Sequence, residues 1–93
     1  MVAQIGHLKD LLEQMVEAAE QKDKAAVRRL NSEFERGMPP LSDRSQKIID
    51  YDNCRQSCMM AFTFPQMYKN YVKDARQRFK QINGARARQD KYA

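Results

Sequence analysis

Apolar residues at Ile5, Leu8, Leu12, Met15 and Ala19 recur in steps of three and four, which puts them on one face of a helix. Leu11, Val16 and Ala18 widen that stripe. It fades over Gln21-Lys22-Asp23-Lys24 and resumes at Ala26, Val27, Leu30 and Phe34. Neither glycine nor proline stands in the gap, and Glu20 with Lys24 is a favourable i,i+4 pair across it. The pattern predicts one helix over about residues 3–36 with a slip in its repeat. The alternative is a break in the gap, with Asp23 as the N-cap of a separate helix. Gly37 supplies a helix end, and Pro39-Pro40 prevent continuation.

Ser42 is of an N-capping type, and Ile48, Tyr51, Cys54, Cys58 and Ala61 follow it at helical spacing. A second helix is expected over about residues 42–62. Ile49, Met59, Met60 and Phe62 lie off its main stripe, so its end is apolar nearly all round. Such an end is usually buried from more than one side. Thr63-Phe64-Pro65-Gln66 fits a capping box, with Thr63 as N-cap and proline in the first turn. A third helix over about 64–83 then carries Tyr68, Tyr71, Val72, Ala75, Phe79 and Ile82 on one face. Asn83-Gly84 offers a stop before a basic tail over 84–93. The alternative is continuation through Ala85-Arg86-Ala87-Arg88, which are good helix formers.

These elements predict a single all-α domain over residues 1–93. Its long N-terminal helix would pack with two shorter helices in an antiparallel helical bundle. At 1.5 Å per residue the first helix would be roughly 50 Å long, and the others nearer 30 Å. A three-helix bundle cannot cover that surplus, so part of the first stripe is expected to meet a second copy or a different partner. Leu12, Met15 and Leu30 are the expected dimer contacts.

Composition agrees with a thin helical domain. The chain has 93 residues, with 42% apolar, 31% charged, three glycines and three prolines. That is too apolar for a disordered segment and too poor in turn formers for many short strands. A core of this size is marginal alone, because only about two-thirds of the unfolded surface is buried. The charge of +5 is unevenly spread. Residues 1–64 hold nine Lys/Arg against ten Asp/Glu, whereas residues 65–93 hold eight against two. The basic final third implies an acidic partner, whether protein, nucleic acid or membrane surface. The N-terminus lacks the cationic start and apolar run of a signal peptide, and the longest apolar-rich stretch, Cys58 to Phe64, is far short of a membrane span. A cytoplasmic location is expected.

Catalytic chemistry has little to stand on. No phosphate-binding glycine loop, nucleophile with a nearby base, or evident carboxylate pair is present, so a non-enzymatic protein without a cofactor is expected. His7 is the only histidine and has no metal-ligand spacing to Cys54 or Cys58. The two cysteines are four apart, unlike a redox pair, and an i,i+4 disulfide within a helix would be strained. They read as reduced, buried side chains. The Met and aromatic run Met59-Met60-Ala61-Phe62-Thr63-Phe64, with Met67 and Tyr68, suits either core packing or a deformable partner-binding surface, and Ile48, Tyr51, Met59, Met60, Phe62, Phe64 and Met67 are the expected partner-binding residues. Lys69, Lys73, Arg76 and Lys80 form a basic stripe at steps of four, three and four. It is either a solvated face or a set of phosphate contacts.

The run Leu11-Leu12-x-x-Met15-x-x-Ala18-Ala19-x-x-x-Asp23-x-x-Ala26-x-x-x-Leu30 resembles the first helix of FliT-type flagellar export chaperones. A loop at Gly37 to Leu41 and a basic end closing in Tyr92 fit the same outline. The resemblance implies a short cytoplasmic helical chaperone that binds a secretion substrate, the filament-cap protein by analogy, or restrains a transcriptional activator. It also implies that the segment after Gly84 covers the client groove. From the residues themselves, the expectation is a chaperone or adaptor that buries a partner helix against an apolar surface. A basic nucleic-acid-binding regulator and a small inhibitor of a regulatory protein are the alternatives.

Overall fold

The computed structural model describes residues 2–92, with side chains over 5–83. Four α-helices are present among the described residues: α1 (Val2–Glu20), α2 (Lys24–Gly37), α3 (Gln46–Thr63) and α4 (Tyr68–Tyr92). The all-helical architecture expected from the apolar stripes is present. The single helix over 3–36 is not, because the chain breaks where the stripe fades.

The break is a helix stop built without glycine. Lys22 takes a left-handed conformation at φ 60°. Its N–H bonds the Ala19 carbonyl at 3.1 Å, and the Asp23 N–H bonds the Ala18 carbonyl at 2.9 Å. This nested pair is a Schellman closure with lysine in the place that usually holds glycine. Asp23 at once caps the next helix, its carboxylate accepting from the Ala26 N–H at 3.2 Å. The chain then doubles back, so that Gly37 at the end of α2 reaches Leu8 near the start of α1. A Cβ on Gly37 would lie 3.3 Å from Leu8 Cδ2, so the absent side chain permits this close approach.

This hairpin removes the surplus length that called for a second copy. Leu8, Leu12, Met15, Val16 and Ala19 of α1 are buried with Val27, Leu30 and Phe34 of α2. Leu12, Met15 and Leu30 are thus covered within one chain and are not dimer contacts. The α3 side of the core is Ile48, Tyr51, Cys54, Cys58 and Ala61, and α4 contributes Ala75 and Phe79.

Two other boundaries differ from the sequence reading. Ser45, not Ser42, caps α3, accepting from the Ile48 N–H at 3.4 Å. Residues Leu41–Asp43 form a separate 3₁₀ turn, held by the Asp43 N–H on the Pro40 carbonyl and the Arg44 side chain on the Pro39 carbonyl. Thr63 ends α3 rather than opening the next helix. Its hydroxyl donates back to the Met59 carbonyl at 3.1 Å, and Pro65–Met67 form a 3₁₀ turn before α4. The capping box is therefore not formed. Asn83-Gly84 does not stop α4, which runs to Tyr92 as the helix-forming residues beyond it allow. The basic tail over 84–93, including Arg86, Arg88 and Lys91, lies outside the residues whose side chains are described.

Lys22→Gly is expected to stabilise the fold. Relief of the left-handed backbone is worth about 1 kcal/mol. That exceeds the roughly 0.5 kcal/mol that the ammonium group contributes through an exposed cation–π interaction. Thermal unfolding followed by circular dichroism should show Tm rising by a few degrees, while Lys22→Ala, which keeps the strain, should show no gain.

Candidate partner-binding surface

Two hairpins, α1–α2 and α3–α4, meet through side chains that tie α4 to the α1–α2 turn. The Tyr68 hydroxyl donates to the Ala19 carbonyl, the same oxygen that accepts from Lys22. Lys22 Nζ stands 5.4 Å from the centre of the Tyr68 ring, and Phe62 meets that ring edge-on at 5.6 Å. Burial, reinforced by the charge of Glu20, holds the Tyr68 hydroxyl above its ordinary pKa, so it stays protonated and donates. Arg76 binds both oxygens of Glu20, at 3.0 and 2.5 Å.

The α3–α4 seam carries a second network. The Ser57 hydroxyl donates to Asp74 at 2.6 Å, and Arg78 bonds the same carboxylate oxygen at 2.7 Å. The Cys54 thiol donates to the Ala75 carbonyl at 3.2 Å. On the other side of α3, Arg55 reaches Asp52, Asn31 and Glu35 and covers the Phe34 ring at 5.8 Å. The ion pairs among the described residues use only Arg55, Arg76 and Arg78 as cations. The planar, forked guanidinium suits such multiply bonded positions.

The expected partner-binding residues divide sharply. Ile48 and Tyr51 are core residues, 4% and 0% exposed, and present nothing to a partner. Their spacing is the inward stripe of α3, and sequence periodicity does not say which stripe is covered. Met59 and Phe62 are half-buried and pack against the core. Met60, Phe64 and Met67 are 36%, 47% and 46% exposed. They gather at the α3–α4 corner, where the Phe64 ring lies 6.3 Å from that of Tyr71. An exposed apolar corner is the feature that an interaction surface requires.

Beside this corner lies a depression of about 620 Å³, walled by Phe62, Pro65 and Tyr68 and rimmed by Lys22, Lys24 and Lys69. A second, of about 420 Å³, adjoins it at Tyr68 and Lys69 and runs past Val72, Lys73 and Lys80. The predicted basic stripe therefore lines two adjoining open depressions that share Tyr68 and Lys69 and together make a shallow trough, although Arg76 is already held by Glu20. Lys22 and Lys24 escaped sequence reasoning because the rim forms only when the first helix breaks. The signal present was the polar gap itself.

His7 is exposed, and no cluster of metal-ligating residues occurs among the described residues. Cys54 and Cys58 are free and buried. Burial, with the nearby Asp74 charge, pushes the Cys54 thiol up to about 12, and burial raises Cys58 as well. No described helix is long and apolar enough to cross a membrane. Comparison with protein families, curated proteins and solved structures returns no match.

Two outcomes follow from this geometry. Both thiols should resist a thiol-specific disulfide reagent in the native state and react with a rate that tracks global unfolding, because only the thiolate attacks and neither sulfur is exposed. Acid should destabilise the fold through two carboxylates. The Arg76 hydrogen bond holds Glu20 below its ordinary value of 4.5. For Asp74, burial pushes upward, but hydrogen bonds from Ser57 and Arg78 outweigh it and leave the group below 3.8. Stability from both is complete above those ordinary values and is lost as pH falls through the lower folded ones. Urea titrations across that range should show the loss, and Glu20→Gln with Asp74→Asn should flatten it.

Proposed function

We propose that the protein is a non-enzymatic adaptor that binds another protein at the α3–α4 corner. The observation that carries this reading is the group of Met60, Phe64 and Met67, large apolar side chains left exposed while Ile48 and Tyr51 are buried and Met59 and Phe62 are half-buried. Methionine adapts its shape to a partner, and an aromatic neighbour anchors it. The lysine-rimmed trough beside the corner supplies charge for an acidic partner.

The flagellar-chaperone reading makes that partner a secretion substrate. It rests on the resemblance of residues 11–30 and on the Gly37 to Leu41 loop and basic end that fit the same outline. Leu11, Leu12, Met15, Ala18, Ala19 and Leu30 are buried, so these residues serve the hairpin rather than a client surface. A second reading, a basic nucleic-acid binder, draws on Lys69, Lys73 and Lys80, whose ammonium groups enter no ion pair among the described residues.

Met60→Asp with Met67→Asp should abolish capture of the partner that co-purifies from the native cell, while far-UV circular dichroism stays unchanged. Removing an anchor costs about 2 kcal/mol or more, roughly thirtyfold in affinity. Capture at normal strength would refute the surface. Labelled DNA and RNA test the second reading: it requires binding at low salt that falls steeply between about 50 and 200 mM.

A further inference from the structure

The trough along α4 has a shape and a charge pattern that specify its occupant more closely than the corner does. Its floor includes Tyr68, Val72 and Arg76, spaced four apart, so it follows a helical ridge. From Tyr68 to Lys80 the groove is about 18 Å long at 1.5 Å per residue. That length matches about three turns of a second helix laid alongside.

The two sides of the groove carry opposite charges. Lys69, Lys73 and Lys80 line the α4 side, and Lys22 and Lys24 close one end. Glu20 stands on the α1 side, and Glu13 and Glu17 lie close enough to act on Arg76. A duplex or a broad phosphate surface seated here would meet that row of carboxylates. A helix, about 10 Å wide, can keep its acids on the lysine side. The half-buried Phe62, Tyr68 and Val72 reward an apolar face and give nothing to a phosphate backbone.

We infer that the trough seats an acidic amphipathic helix of a partner protein, its apolar face on Phe62, Tyr68 and Val72 and its carboxylates toward Lys22, Lys24, Lys69, Lys73 and Lys80. The inference rests on the adaptor reading and adds the partner's chemistry to it. The glutamates of α1 set the orientation, since the partner's acids must turn away from them.

The test is calorimetric titration of the whole chain with a synthetic peptide of about fifteen residues, leucine at i, i+3, i+4 and i+7 and glutamate elsewhere. A scrambled isomer, a version with lysine for glutamate, and a single-stranded DNA oligonucleotide serve as controls. The acidic amphipathic peptide should bind best. Lys69→Glu with Lys73→Glu, checked for helicity, should weaken it at least about tenfold, and so should raising salt from about 0.1 to about 1 M, which shortens the Debye length from about 10 to about 3 Å. Equal binding by the scrambled or lysine peptide, tighter binding by the oligonucleotide, or an unaffected lysine variant would each overturn the inference. So would light scattering that shows the wild type, but not the lysine variant, forming dimers, because the occupant would then be a second copy. Partner capture abolished by changing Met60 and Met67 but kept on reversing the lysines would retain the adaptor and discard the trough; capture kept by both variants would discard both.

Discussion

The reversal at Gln21–Asp23 determines what every other helix can do. Two nested backbone hydrogen bonds end α1, and the carboxylate of Asp23 starts α2 within the same few residues. The turn carries a left-handed lysine, a conformation that costs about 1–2 kcal/mol for a residue with a side chain. Tertiary contacts offset that strain. The Tyr68 hydroxyl binds the carbonyl that the turn already uses, the Lys22 ammonium group lies over the Tyr68 ring, and Arg76 holds Glu20 just before the turn. Because α4 closes over the turn, the first hairpin cannot straighten without releasing the second.

A second constraint is the seam between α3 and α4, which is polar at its edge and apolar within. Ser57 and Asp74 satisfy one another, and Arg78 neutralises the carboxylate from the solvent side. The cysteines fill positions where the helices pack closely, and the Cys54 thiol satisfies itself on the Ala75 carbonyl. A larger side chain at either cysteine would push the helices apart, since both positions are fully buried. These residues tie α3 to α4 along their seam.

Arginine and lysine divide the positive charge between structure and surface. Arg55 and Arg76 bind carboxylates from more than one atom and across helices, and Arg78 pairs with Asp74 one turn earlier on α4, whereas the lysines of the trough form no ion pair among the described residues. Five ammonium groups, those of Lys22, Lys24, Lys69, Lys73 and Lys80, line the trough. Such groups are strongly hydrated, and their contribution weakens as salt rises.

The amino-acid sequence alone determined the helical class, the apolar stripes of the helices and the place where the first stripe is weakest. These follow from local periodicity, which needs no knowledge of neighbours. Asp23 and the polar gap around it already marked both possible outcomes, a slip or a break. Only the tertiary structure chose the break, because a left-handed Lys22 is unfavourable by itself and persists through contacts with Tyr68 and Glu20–Arg76, about fifty residues away. The same decision moved Leu12, Met15 and Leu30 from an expected dimer seam into the core, and separated buried Ile48 and Tyr51 from exposed Met60, Phe64 and Met67. Periodicity shows that a helix has an apolar face. Whether that face meets its own chain or is left for another depends on where the chain turns.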